Sequence, residues 1–302
     1  MPSFLTYLPM CFKKNKPTPK IQNMINPVYP CLWFDGKAKE AADLYCSIFN
    51  NSKITINTPM VVNFELEGLK IMGLNGGPMF TINPSVSLFV TCLSDEETES
   101  IWNKLIEGGH AMMPLDKYPW SEKYGWVVDK YGMTWQLMKG SLPEGGQKII
   151  PAFLFVGAQY GKAQEAIKQY TSIFSDSKIF ELQLYKAGEG QPEGTLKFGH
   201  FALQQSMFAA MDGFGTHEFK FNEAVSFVVE CDTQDEIDYY WDKLTEGGKE
   251  SMCGWLTDAF GVSWQIIPKI IGSLMSNPEK APRVMKAVMK MKKLDIETMM
   301  NA

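Results

Sequence analysis

An α+β fold made of two tandem copies of one unit is the fold class this sequence predicts, and three observations carry it. Residues 38–54 (AKEAADLYCSIFNNSKI) and 163–179 (AQEAIKQYTSIFSDSKI) are identical at ten of 17 positions without a gap. Each block follows a short apolar run that ends in glycine, PCLWFDG at 30–36 and PAFLFVG at 151–157. Further matches then follow in the same order: VSLFVTC with VSFVVEC, Trp102 with Trp241, EGG with EGG, and DKYGMTWQ with DAFGVSWQ. A fixed order of matches over more than 100 residues marks a repeated structural unit.

Within each copy the elements can be placed in turn. The apolar runs 30–34 and 151–156 are short and bounded by turn residues, so they read as strands. In the next block Ala38, Ala41, Tyr45, Ile48 and Phe49 fall on one helical stripe. Strands follow at 60–66, 69–74 and 86–92, with Asn75-Gly76-Gly77 and Asp212-Gly213 as turns. Ser94 with Glu97, and Thr233 with Glu236, have capping-box spacing and open a second helix. Gly108-Gly109 and Gly247-Gly248 end that helix, and a final strand pair brackets the DKYG or DAFG turn. Each copy reads strand, helix, three strands, helix, strands. Asn277-Pro278-Glu279 caps a last helix whose stripe is Val284, Ala287, Val288, Met291 and Leu294, with Lys286, Lys290 and Lys293 off it. Docking of that stripe onto the chain's own domains is favoured over a membrane or a partner, because methionine-rich faces fill irregular grooves.

Composition narrows the function classes. The 302 residues are 45% hydrophobic and 21% charged, which suits packed domains. A net charge of -5 argues against a broad nucleic-acid surface. No apolar run is long enough for a membrane span. The first residues are apolar, with Lys13 and Lys14 after them rather than before, the reverse of a secretory signal. Six cysteines without a CxxC pair read as reduced thiols, so the expected location is cytoplasmic. The expected divisions are a disordered extension over 1–24, domains at 25–141 and 148–269, and a helical tail at 270–302.

The segments YPCLWFDGKAKEAADLYCSIFNNSKI, VSLFVTC, GW…DKYGMTWQL and the tail KAPRVMKAVMKMKKLDIETM resemble the PhnB-like family. That family is also labelled 3-demethylubiquinone-9 3-methyltransferase-like, within the vicinal oxygen chelate (glyoxalase/bleomycin-resistance) superfamily. The resemblance covers roughly residues 25–300. It implies paired βαβββ modules that form an incomplete barrel around a cavity, with one chain supplying modules that many relatives obtain by dimerising. Metal-using members take ligands from a first-strand His, a last-strand Glu and often a middle-strand His. Here those positions fall at about Pro30 and Pro151, Gln136 and Gln265, and Ser87 and Ser226. Proline has no side-chain donor and glutamine is a poor ligand, so neither a metal nor another cofactor is expected. A glycine-rich strand-to-helix loop for S-adenosylmethionine is also missing, and the methyltransferase label is read as a name carried by resemblance.

The expected partner is a small molecule, and Ser87, Gln136, Ser226 and Gln265 are the candidate ligand-binding residues. Their plainer reading is an amide satisfied by backbone and a serine that packs. Neither serine has an obvious base beside it for nucleophilic work. Among the three histidines, His200 on a second-copy strand is the one candidate for a general base; His110 and His217 read as structural. The tryptophans repeat between copies and read mainly as core. The segment 110–124, present only in copy one, carries Pro114, Tyr118, Pro119 and Trp120 and reads equally as a lid or as surface packing. A metal-independent enzyme, including the methyltransferase of the label, is the alternative function; a partner-binding protein that uses the tail is the second. The oligomeric state is open.

Overall fold

The computed structural model describes residues 28–302; the extension expected over 1–24 lies outside the described residues. Copy one comprises β1 (Tyr29–Phe34), α1 (Ala38–Ile48), β2 (Ser52–Asn57), β3 (Val61–Leu66), β4 (Leu69–Asn75), β5 (Val86–Cys92), α2 (Asp95–Ile106), β6 (His110–Tyr118), β7 (Ser121–Val128) and β8 (Thr134–Lys139). Copy two comprises β9 (Ile149–Phe155), α3 (Ala163–Ile173), β10 (Lys178–Leu184), β11 (Leu196–Leu203), β12 (Ser206–Asp212), β13 (Val225–Cys231), α4 (Gln234–Thr245), β14 (Lys249–Glu250), β15 (Trp255–Thr257) and β16 (Ser263–Pro268). The tail is α5 (Ile270–Ser276), α6 (Ala281–Val288) and α7 (Ile296–Met300).

Each copy therefore holds two βαβββ modules, and the modules pair across the copies rather than within them. One eight-stranded sheet runs β14-β15-β16-β13-β1-β4-β3-β2, and the other runs β10-β11-β12-β9-β5-β8-β7-β6. The central seams are antiparallel, β1 against β13 and β5 against β9. Strands β5 and β9 are buried at every residue. A strand apolar on both faces has its lowest free energy in mid-sheet, where neither face meets water.

The helices lie on one face of each sheet, and these faces meet in a single core. Ala38, Ala41, Tyr45 and Ile48 of α1, and Ala163, Ala166, Tyr170 and Ile173 of α3, are the buried stripes. Phe153 of one sheet and Phe227 of the other approach to 4.9 Å between ring centroids. The opposite faces look outward, each with its own small cluster: Phe89, Tyr124 and Ala152 on the β5/β9 sheet, and Tyr29, Cys31 and Val228 on the β1/β13 sheet.

A buried carboxylate ties each helix to its last strand. Asp129 accepts hydrogen bonds from the Tyr45 hydroxyl (2.7 Å), Trp135 Nε1 (2.9 Å) and the backbone N–H groups of Tyr131 and Met133. Asp258 repeats this with Tyr170, Trp264, Phe260 and Val262. The DKYG and DAFG segments are thus turns, as expected, and also polar hubs.

Five expectations change in detail. Pro30 lies between Tyr29 and Cys31, which share the outer face, so its ring points to the opposite face; Pro151, between Ile150 and Ala152, does the same. The edge strand β2 was not expected, because it is mostly exposed and polar. The capping box is complete only at Thr233/Glu236; Glu97 bonds the backbone N–H of Leu93 instead of that of Ser94. Segment 110–124 belongs to the β6/β7 hairpin. The tail is three short helices, not one, because the stretch after α6 runs beside residues 253–254. There Cys253 N–H donates to Met291 O and Gly254 N–H to Lys292 O, each at 2.7 Å. Its apolar side chains Leu274, Val284, Val288, Leu294 and Met299 pack with Ile267 of β16, so the tail docks on its own chain.

Burial pushes Asp258 up from an ordinary 3.8 to about 6, against the pull of its four hydrogen bonds. The folded chain then holds a proton that the unfolded chain has released. This stabilising contribution is complete below about pH 4 and lost as the pH rises through about 6, a fall of about 3 kcal/mol. Denaturant unfolding is expected to show a wild-type stability that falls by about 3 kcal/mol across this window relative to Asp258→Asn. Parallel curves would contradict the assignment.

Candidate functional site

The outer face of the β5/β9 sheet holds a cavity of about 360 Å³. Copy one supplies Phe89, Trp120, Tyr124, Gln136 and Met138; copy two supplies Glu181, Gln183, Tyr185, Lys197, Phe198 and Met211. The β6/β7 hairpin brings Trp120 to the mouth, where its ring stacks on Tyr118 (5.1 Å) and meets Tyr124 edge-on (5.8 Å). In copy two the corresponding strands β14 and β15 have two and three residues, against nine and eight in β6 and β7. Among the described residues no comparable aromatic hairpin projects over the β1/β13 sheet.

The polar groups of the cavity form a short chain. Tyr124 donates its hydroxyl to Gln136 Oε1 at 2.7 Å, and Gln136 Nε2 donates to Ser87 Oγ at 2.7 Å. Burial holds the Tyr124 phenol well above its ordinary range, so it stays a protonated donor. Its oxygen keeps a lone pair to accept from a ligand, and Ser87 keeps its own O–H. Gln136 is 2% exposed and Ser87 1%. Side-chain partners, not backbone, satisfy the amide.

The four candidate residues fall into two pairs on two sheets. Gln136 lines the cavity with Ser87 behind it. Gln265 donates to Ser226 Oγ at 2.9 Å on the other outer face, beside Cys31, whose thiol burial pushes up to about 12. His200 lies on β11 and stacks on Phe180 at 5.1 Å. The residues that sequence reasoning missed, Phe89, Phe198, Glu181, Lys197 and Met211, come from strands whose pairing across copies no local pattern announces. Tyr124 and Trp120 had a signal: both lie in the segment that only copy one carries.

The donor set does not suit a divalent cation. The amide of Gln136 has both ends engaged, and Glu181 is the one carboxylate among the residues lining the cavity, short of the three or four donors a divalent cation needs. Among the described residues no three His, Cys, Asp or Glu side chains gather into a group that could hold a metal.

Paired βαβββ modules in open eight-stranded sheets, with a cavity on the outer face, define the glyoxalase class of the vicinal oxygen chelate superfamily. Glyoxalase I from Zea mays is similar in fold: it is 10% identical, 79% of this chain and 90% of that chain are covered, and the TM-score is 0.53. The family profile described as 3-demethylubiquinone-9 3-methyltransferase matches residues 26–138 and again 147–267, so the chain belongs to that PhnB-like family. A putative 3-demethylubiquinone-9 3-methyltransferase, a PhnB protein from Bacillus cereus, is 37% identical over 37% of this chain and 98% of that chain, with a TM-score of 0.35. Protein PA1353 from Pseudomonas aeruginosa is 22% identical over 36% of this chain and 93% of its own, with a TM-score of 0.33. No curated protein matches the chain.

Replacing Tyr124 by Phe removes the donor to Gln136 Oε1 and leaves a buried carbonyl unpaired. That costs about 1–2 kcal/mol, read as a melting-temperature drop of about 2–6 °C. An unchanged melt would show that the chain of hydrogen bonds does not hold the site.

Proposed function

We propose that this protein binds one small, flat, largely apolar molecule in the cavity of the β5/β9 sheet, without chelating it through a metal. The observation that carries the reading is a cavity walled by Phe89, Trp120, Tyr124 and Phe198 with one polar chain, Tyr124–Gln136–Ser87, at its edge. Aromatic walls with a few convergent polar groups are the usual make-up of a small-molecule site. The five described cysteines are unpaired, which supports a reducing compartment such as the cytoplasm. Among the described residues no helix is long and apolar enough to cross a membrane.

A metal-independent reaction in the same cavity is the second reading. It is favoured by the Glu181 carboxylate, a proton acceptor on the wall. The family description names a methyl transfer, which would need a methyl donor beside the acceptor.

Titration with the dye 8-anilinonaphthalene-1-sulfonate tests the binding reading. One dye per chain is expected, unaffected by a chelator and weakened about three- to tenfold by Trp120→Ala through loss of ring contact. Trp255→Ala, on the other sheet, is expected to bind as wild type does. Absence of saturable binding, or binding abolished by the chelator and restored by a divalent ion, would overturn it.

A further inference from the structure

Between the lining residues of the cavity, the sheet carries a row of side chains that crosses four strands. Strand register aligns His200 of β11 with Ala209 of β12, Ala209 with Ala152 of β9, and Ala152 with Ser87 of β5. The rows on either side line the cavity: Phe198 and Met211 on one, Phe89 and Gln136 on the other. Glu181, the cross-strand partner of His200, lines it too. The row therefore lies beneath the middle of the cavity, polar at both ends and alanine between.

His200 is the unexplained member. It is 5% exposed, and its Nε2 has no hydrogen-bond partner. A buried ring nitrogen left unpaired is costly, so native structures give such groups a partner. Burial pulls the His200 pKa down, opposed by Glu181 and Glu144, which favours a neutral ring able to donate or accept through Nε2. The β1/β13 sheet offers an internal comparison. Its matching row is Asn63, Met72, Cys31 and Ser226, with the larger Met72 and Cys31 where the alanines stand. The small residues of the row are found on the sheet that has the hairpin.

We infer that His200 is the second polar anchor of the cavity, opposite Ser87 and Gln136, and that the ligand is a flat aromatic body carrying an oxygen at each end. The inference rests on the binding reading above and adds the ligand's chemical class. The four strands place the two ends about 14 Å apart at the backbone, and the inward side chains shorten that span. The alanines between leave room for a flat ring system and offer it no polar contact.

Naphthalene and 2,6-dihydroxynaphthalene are the probes, with the full chain, in wild type and His200→Phe. Phenylalanine keeps the stacking on Phe180 and removes the nitrogen. Wild type is expected to prefer the diol by about ten- to a hundredfold, the value of two added hydrogen bonds, one at each anchor. His200→Phe is expected to lose about three- to tenfold of that preference, the share of one bond, to hold naphthalene as tightly as before and to melt no lower than wild type. An Asn63→Leu control is expected to behave as wild type. A diol preference undiminished in His200→Phe, or none in wild type, overturns the role of His200 while leaving binding intact. Failure of both probes to bind wild type brings down the binding reading itself.

Discussion

Strand β5 pairs antiparallel with β9, from Val86 against Phe153 to Val90 against Ile149, and the cavity depends on that seam. It joins a module of copy one to a module of copy two. Without it Phe89 and Gln136 would not share a face with Ala152 and Ala209, and Phe198 would belong to another surface. The second seam, Tyr29–Leu32 against 225–228, does the same for the other sheet. Both seams are strands apolar on both faces, so water exclusion from two sides holds them, with the backbone ladder fixing their register.

Much of this was legible beforehand. The repeat, the helical stripes and the turns follow from local periodicity, and the structure has them. The pairing partner of each central strand did not follow, because β5 and β13 read alike and nothing local says which copy a strand will join. The position of Pro30 failed for a related reason: a shift of one residue along a strand moves a side chain to the other face. Asp129 and Asp258 were visible as turn residues, but their role as hubs needed the distant tyrosines on α1 and α3. In the site, Gln136 and Ser87 were named through the family resemblance, as the positions where metal-using relatives carry ligands. Glu181 and Lys197 were not, since they enter through pairing between copies.

The two outer faces have diverged from one pattern. Both keep the Ser–Gln pair, Ser87–Gln136 and Ser226–Gln265. The β5/β9 face adds a long aromatic hairpin and a row with two alanines. The β1/β13 face has Cys31 and Met72 instead, together with a buried-edge cluster in which Tyr29 donates to Glu230 at 2.7 Å and Lys70 pairs with the same oxygen at 2.8 Å. Duplication supplied two faces, and side-chain size at two positions of the row and hairpin length separate them. The docked tail lies beside α4, with Lys293 against Asp242 and Lys292 against Glu250, where copy two has only short strands.

The central claim is that neither copy is complete without the other, and separating them tests it most directly. Residues 28–141 and 142–302 would be produced as two chains and examined apart and mixed, by light scattering, thermal melting and dye binding. Apart, each is expected to lack a cooperative monomeric melt or to self-associate, because its central strands have no partner. Mixed, they are expected to form a one-to-one complex with the melt and the dye site of the full chain. Two compact monomers that melt cooperatively and do not associate would contradict the account.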